Sequence, residues 1–308
     1  MAKRRNPALV WLSTTLSVAF ARLTAILPLS LARGLGRLCG RLAYYMIPRV
    51  RNVCLQNLDH AYGDSIGRSE MRRIAREAAE NVGIVAAEFS RISALDAATA
   101  KSLVTVNGLD HIKGPCFLVG AHMGNWEWFA PVLVAHGVRI AEVVRPLDDP
   151  RLNAFVDRTR SACGVRTIAK ERSGPEILRL LREGWVVGVL VDQSPREAAL
   201  PVTFFGKPCW ATVAPAMVAM RAKIPIHPIT IVRQSNGHYN VTISPPIDTS
   251  RTGNMRDDLL AITQRCQDAI EAEIRKTPGQ WLWLHRRWKE RPRLDAEWRA
   301  KEEKSKNG

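Results

Sequence analysis

The chain has 308 residues, 46% apolar and 24% charged, enough for one large or two small domains around a sizeable core and too apolar for a disordered chain. Its net charge of +16 implies an acidic partner: an anionic membrane surface, a phosphorylated substrate, an acidic protein or nucleic acid. Six scattered cysteines (Cys39, Cys54, Cys116, Cys163, Cys209, Cys266) form no Cys-x-x-Cys pair and do not cluster with histidines, which indicates reduced structural thiols and argues against a zinc site.

Residues 1–48 stand apart. Lys3-Arg4-Arg5 precede an apolar run from Pro7 to Ala21, Arg22 interrupts it, and Leu23 to Ala32 resumes it before Arg33, Arg37 and Arg41 alternate with apolar residues. The uncharged run falls short of the ~20 residues that span a bilayer comfortably. It also lacks the small-residue cleavage site of a signal peptide. The expectation is a membrane-anchoring helical segment that spans marginally or lies in the interface, with arginines reaching head groups on the cytoplasmic side. A buried helical hairpin is the alternative.

Residues 49–100 read as helices that pack on the region beginning at residue 101. Gly63 is placed to end one, and Ser69 to cap the next without an acidic partner at Arg72. Ile74, Ala78, Val82, Val85 and Phe89 form an apolar stripe, and His60 reads as structural or solvated. From residue 101 to 294 the pattern alternates. Strands are expected at Leu103–Val106, Cys116–Gly120, Ala141–Val144, Val186–Val191, Ile226–Val232 and Tyr239–Ile243. Helices are expected at Trp126–Ala135, Arg151–Cys163, Pro175–Glu183, Val213–Ala222 and Met255–Lys276. That order predicts an α/β fold with a mostly parallel central sheet. Residues 295–308 are charged and read as a loose tail.

The stretch Phe117-Leu-Val-Gly-Ala-His122-Met-Gly-Asn125-Trp-Glu127-Trp carries the chemistry. It runs from apolar strand through a glycine break to helix, so His122 is expected at the carboxyl end of a strand, where open α/β sheets hold their ligands. Glu127, in the first turn of the next helix, is placed to reach back to the imidazole and fix its tautomer. Arg145 ends another strand and can hold a phosphate or an oxyanion, or be an ordinary surface arginine. Lys170 and Arg172 precede a helix start at Pro175, a plausible anion site. Asp192 follows the apolar run 186–191 and can serve as a supporting carboxylate, as a partner to the acceptor hydroxyl or as a helix cap.

His-x-x-x-x-Glu after an apolar strand resembles the first motif of glycerolipid-type acyltransferases, and Gly120-Ala-His-Met-Gly-Asn-Trp-Glu-Trp128 resembles the bacterial lipid A acyltransferase branch. Three later stretches resemble that branch in order: Val143-Val-Arg145-Pro-Leu, then Leu190-Val-Asp192-Gln193-Ser with Phe204-Phe205-Gly206, then Gln280-Trp281-Leu-Trp283-Leu-His285-Arg286-Arg287-Trp288. Ile224-Pro-Ile-His227-Pro-Ile resembles the fourth glycerolipid acyltransferase motif, with His227 read as structural. The resemblance implies a glycerolipid-acyltransferase-like sandwich and acyl transfer at the inner membrane. The donor would be acyl carrier protein or acyl-coenzyme A. The acceptor would be a glycolipid, foremost a lipid A precursor. Taken with the residue readings, the resemblance leads to a site with no cofactor and no metal, with His122 as general base, Glu127 as its orienting partner, and substrate contacts at Asn125, Arg145, Lys170, Arg172, Asp192, Gln193, Phe204, Phe205 and Arg287. The Phe pair would lie on the acyl-chain side, although Phe-Phe-Gly also reads as core and turn.

The branch usually carries glycines between Asp-Gln and Phe-Phe-Gly, where this chain has Ser194-Pro-Arg-Glu-Ala-Ala-Leu-Pro201, so a phosphatidylinositol mannoside or other glycolipid acceptor stays open. With no Gly-x-Ser-x-Gly elbow and no cysteine beside His122, direct attack without an acyl-enzyme is expected. Two other classes are weighed. A basic nucleic-acid-binding protein would draw on the charge and the Trp/Arg-rich end, but the apolar N-terminus favours a membrane over nucleic acid. A metal-dependent hydrolase would need further ligands at the right spacing from His122 and Glu127.

Overall fold

The computed structural model describes residues 7–170 and 173–306. Helices α1 (Pro7–Ile26) and α2 (Leu29–Met46) lead, parted at Pro28, and α3 (Pro48–Tyr62) and α4 (Arg68–Phe89) follow. Gly63 ends α3 at φ +52, as its position predicts. Ser69 does not cap α4: Gly67 is extended there and its carbonyl already accepts from Met71 N at 3.0 Å, so Ser69 falls inside the first turn.

The alternating region begins with α5 (Ala97–Leu103), β1 (Val104–Asn107), β2 (Phe117–Gly120), α6 (Phe129–Ala135) and β3 (Ile140–Val144). It continues through α7 (Pro150–Ser161), β4 (Arg166–Ala169), α8 (Ser173–Arg182), β5 (Val186–Leu190), β6 (Ala199–Phe204) and β7 (Lys207–Thr212). The chain then forms α9 (Ala214–Ala222), β8 (Ile226–Arg233), β9 (Tyr239–Ile243), α10 (Met255–Lys276) and α11 (Pro292–Lys306).

Seven strands make one sheet in the order β1-β9-β8-β2-β5-β3-β4, and β6-β7 form a separate hairpin. Every pairing in the large sheet is parallel except β8 with β9. The expected mostly parallel α/β sheet is therefore present. All six expected strands are there, with ends shifted by no more than a residue. Strand β4 escaped the pattern because it is four residues long with only Ile168 buried. The β6-β7 hairpin escaped it because Pro201 and Pro208 argue against a strand.

Side chains of β2 alternate between two cores, as a strand buried on both faces must. Phe117 and Val119 join the core under α8, α9 and α10, while Cys116 and Leu118 join the one under α5 and α6. A central strand held this way fixes the height of the residues just beyond its carboxyl end.

Helix α2 lies against α4 at close range. Gly36 and Gly40 face Gly83 and Ala79, and a Cβ on Gly83 would overlap the carbonyl oxygen of Gly36. Two ion pairs flank this seam, Arg41–Glu80 at 2.7 Å and Arg33–Glu88. Helix α1 is tied down by Thr14, whose hydroxyl donates to Asp149 at 2.8 Å; Asp149 in turn caps α7. Among the described residues no helix is long and apolar enough to cross a membrane, which corrects the marginal span. Ser13, Thr14, Thr15, Ser17, Arg22 and Thr24 punctuate the apolar run of α1.

The expected loose tail is instead the helix α11. Leu294 is buried, Trp210 Nε1 donates to Asp295 at 3.1 Å, and the Arg256 guanidinium lies 4.2 Å from the centre of the Trp298 ring. Tryptophan–arginine contact supplies the anchorage that the charge-rich composition hid.

The α2–α4 seam predicts that Gly83→Leu destabilises the protein by about 1–3 kcal/mol or more, since the added volume has nowhere to go. A shift of the chemical denaturation midpoint checks this, and an unchanged midpoint would mean that the seam is not close-packed.

Candidate active site

Strands β2 and β5 are adjacent and parallel, with Gly120 opposite Leu190. His122 and Asp192 each lie two residues past that pair, so register alone brings them together. His122 Nδ1 sits 2.7 Å from Asp192 Oδ1, and the His122 amide donates to Asp192 Oδ2 at 2.9 Å. Trp281 Nε1 donates to the same Oδ2 at 2.8 Å. Asp192 is almost fully buried, while one fifth of the His122 side chain is exposed. A carboxylate can only accept, so Nδ1 carries the proton and Nε2 keeps its lone pair.

The loop from His122 to Trp128 is held from both sides. Leu282 N donates to His122 O at 3.0 Å, Gly124 N donates to Gln280 O at 3.0 Å, and Met123 pairs with Trp281 in an isolated bridge. From α4, Asn81 Nδ2 donates to Gly124 O at 2.9 Å. Gly124 has φ +57, and a Cβ there would overlap the carbonyl oxygen of Ile231, so only glycine fits.

The orienting carboxylate is Asp192, which corrects the assignment of that contact to Glu127. Glu127 lies in a turn before α6, which starts three residues later than expected, at Phe129. Both Glu127 oxygens are taken by Arg160 of α7, at 2.8 to 3.1 Å, and Trp126 Nε1 donates to Oε1 at 3.1 Å. The charge of Glu127 still reaches His122, and the Trp126 ring meets the imidazole edge-on at 5.5 Å. Arg160 drew no notice in the sequence, because nothing in a helical arginine announces its partner.

Other expected contacts divide. Gln193 Nε2 lies 3.4 Å from His122 Nε2, so the Asp192–Gln193 pair flanks both imidazole nitrogens. Arg145 and Lys170 follow β3 and β4 at the same carboxyl edge of the sheet, both exposed, with Arg145 only 3.7 Å from Asp148. Arg172 lies outside the described residues. Asn125 is fully buried and donates to Glu88 Oε2 at 2.6 Å, which makes it a scaffold residue rather than a substrate contact.

Phe204 and Phe205 are buried too. The Phe205-Gly206 turn joins β6 to β7 with φ +55 and +69, the pair of positive values a two-residue hairpin turn demands. The rings pack among Tyr62, Trp281, Trp283 and Trp288, so Phe-Phe-Gly is core and turn rather than an acyl-chain wall. Arg287 is fully buried, donating to Trp210 O at 2.6 Å and Gln267 Oε1 at 2.9 Å over the Phe204 ring. It braces the core instead of meeting substrate. Its neighbour His285 stood in the closing motif without a role assigned to it: its Nε2 accepts from Ser194 N at 3.2 Å, and Arg291 donates to Ser194 O at 2.7 Å, together fixing the loop after Asp192.

The electrostatics follow from this geometry. Burial pulls the His122 imidazolium down, but the charge and hydrogen bond of Asp192 outweigh it, and His122 titrates above its ordinary 6.5. Burial pushes Asp192 up, yet His122 and the surrounding donors bring it to about 2. Burial brings His285 down to about 4, so it is neutral and free to accept. Linkage gives the sign. The contribution of Asp192 is full above 3.8 and fades as pH falls through its lowered value; that of His122 is full below 6.5 and fades as pH rises through its raised value.

Arg287→Ala should lower the melting temperature, because two buried acceptors lose their donor at about 1–3 kcal/mol each. An unchanged melting temperature would return Arg287 to the candidates for substrate contact.

The model of the family described as bacterial lipid A biosynthesis acyltransferase matches residues 2–290. The chain is 27% identical over 288 residues to a lipid A biosynthesis acyltransferase of Haemophilus influenzae, covering 90% of each chain. It is 24% identical over 291 residues to a lipid A biosynthesis lauroyltransferase of Escherichia coli, covering 92% of each. A phosphatidylinositol mannoside acyltransferase of Mycobacterium tuberculosis is 26% identical over 196 residues, 59% of each.

Proposed function

Because the chain belongs to the bacterial lipid A biosynthesis acyltransferase family, we propose that this acyltransferase moves a fatty acyl chain from a thioester on acyl carrier protein or coenzyme A to a hydroxyl of a glycolipid, foremost a lipid A precursor. The observation that carries the reading is the imidazole of His122, one fifth of it exposed, with Nδ1 committed to Asp192 and Nε2 left as an acceptor beside the Gln193 amide. The likeness to a phosphatidylinositol mannoside acyltransferase, with the glycine-poor loop after Ser194, keeps that acceptor as the second reading.

In this mechanism the acceptor O–H gives its proton to Nε2 as its oxygen attacks the thioester carbonyl. The tetrahedral oxyanion collapses, the C–S bond breaks, and the leaving thiolate takes the proton from Nε2, which restores the neutral imidazole. Asp192 stabilises the imidazolium in between. Gln193, beside Nε2, is placed to meet the reacting groups. Arg145 and Lys170 at the same sheet edge offer positive charge to the acceptor's phosphate or to the oxyanion. Glu127 and Arg160 neutralise each other and brace Trp126 against the imidazole. The excess positive charge suits an acidic carrier protein or a phosphorylated donor.

The N-terminal helices supply the lipid-facing side of this reading, at the cytoplasmic face of the inner membrane. Helix α1 is inside out: it buries Thr14, Ala21 and Thr24 and exposes Trp11, Leu12, Leu16, Leu23 and Ile26. Helix α2 buries Ala32, Gly36, Gly40 and Tyr44 and exposes Leu31, Leu38, Leu42, Tyr45 and Met46. So many exposed apolar side chains on one pair of helices mark an interface, here with acyl chains in the plane of the membrane. Each side chain that leaves water contributes about 1.5–3 kcal/mol. Leu16, Leu23 and Ile26 to serine should therefore weaken co-flotation with anionic vesicles. An intact protein that stays in the aqueous fraction would end the membrane part of the proposal.

The catalytic part is tested by a double-mutant cycle, read as acylated glycolipid by mass spectrometry. His122→Ala should lose on the order of 100- to 10,000-fold in turnover and Asp192→Asn most of that. The double variant should be little worse than His122→Ala. In the wild type, kcat/KM should rise with pH through a midpoint above 6.5, and Asp192→Asn should lower that midpoint. A folded His122→Ala enzyme with normal turnover would refute the mechanism.

A further inference from the structure

Beneath the catalytic loop lies a buried polar cluster that the mechanism does not use. Glu88, on α4, is fully buried. One of its oxygens pairs with Arg33 of α2. The other accepts from Asn125 Nδ2 at 2.6 Å and from the Tyr239 hydroxyl at 2.7 Å. Its backbone carbonyl accepts from Trp128 Nε1 at 3.4 Å. Arg33 also lies 5.5 Å from the centre of the Tyr239 ring, and only 15% of its side chain is exposed. Burial, with the charge of Glu88, pushes the Tyr239 phenol up, so it stays a donor.

Four elements therefore converge on one carboxylate: α2, α4, β9 and the His122–Trp128 loop. Asn125 is three residues from His122, and the Trp128 backbone N–H closes the loop by donating to Asn125 O at 2.9 Å. Among the described residues Asn125 Oδ1 has no hydrogen-bond partner, so the side chain's polar contact with the scaffold runs through its bond to Glu88. A buried carboxylate of this kind is stable only while its countercharge is present. The countercharge comes from α2, the same helix whose outer face is apolar and exposed.

We propose that Glu88 and Arg33 are positioning residues of the active site: through Asn125 they set the seat of His122 on Asp192, which makes α2 part of the catalytic scaffold and not a detachable anchor. The claim about turnover rests on the acyl-transfer reading above; the claim about the seat of His122 does not.

The test uses the full chain in detergent or vesicles, with Glu88→Gln and Arg33→Met. Two quantities are read against pH: the rate of carbethoxylation of His122 by diethyl pyrocarbonate, followed by mass spectrometry of its peptide, and the kinetics of acyl transfer. The groups that set the His122 titration, Asp192, Glu127, Arg160 and His285, are untouched in both variants. Both variants should lower the apparent pKa of His122 toward its ordinary value as the Asp192 contact loosens. Both should reduce kcat by about 10- to 100-fold with KM little changed, the effect of a small misplacement of a catalytic group. Lower melting temperatures with an unshifted His122 and normal kcat would reduce the cluster to a structural role and overturn the proposal. A shift in Glu88→Gln without one in Arg33→Met would overturn the part given to α2. If Glu88→Gln does not fold, Arg33→Met/Glu88→Met, which leaves no lone buried charge, takes its place with the same expected shift. Should His122→Ala keep full acyl transfer, the acyl-transfer reading would fall, while the carbethoxylation shift would still decide the seat of His122.

Discussion

The hydrogen bond between His122 Nδ1 and Asp192 Oδ1 is the contact on which the active site depends. It exists because two buried parallel strands stand side by side in register and each carries its polar residue two positions past its end. Neither residue is set by a flexible loop alone. Asp192 receives a tryptophan N–H and a backbone amide besides the imidazole, so both its oxygens are hydrogen-bonded and its charge is retained despite burial. The His122–Asp192 pair is thus a property of the sheet, and the surrounding helices hold what the sheet does not reach.

Helix α4 does most of that holding. Asn81 and Glu88 grip the loop after His122, while Ala79, Gly83 and the ion pairs of Glu80 and Glu88 seat α2 on its other side. Small residues permit the close approach, and the charges fix the register along it. The outcome is that α1 and α2 turn polar and small residues inward and leucines, tyrosine and methionine outward. An outward apolar face of this kind is the pattern of an interaction surface.

The sequence disclosed whatever depends on periodicity and on order along the chain. The central strands, the helix Met255–Lys276 and the placement of His122, Arg145 and Asp192 at strand ends all follow from apolar runs and the residues that interrupt them. It did not disclose which carboxylate meets His122. Glu127 is near in sequence, but its oxygens are claimed by Arg160, thirty-three residues on, and only the strand order brings Asp192 alongside. Phe204-Phe205-Gly206 and Arg287 stand in motifs that resemble the family's, and both are core. A motif marks constraint, and constraint arises as readily from a buried guanidinium or a strained turn as from contact with substrate. The fold of α11 was hidden for another reason, since one tryptophan on a charged helix supplies an anchor that composition averages away.

The tautomer of His122 is the most direct test of this catalytic arrangement. Nitrogen-15 NMR of imidazole-labelled protein, with His122→Ala used to assign the signal, reads it without any substrate. The prediction is a neutral imidazole with its proton on Nδ1, an unprotonated Nε2, and a titration midpoint above 6.5 that falls in Asp192→Asn. A proton on Nε2 in the neutral form, or a midpoint indifferent to Asp192, would contradict it.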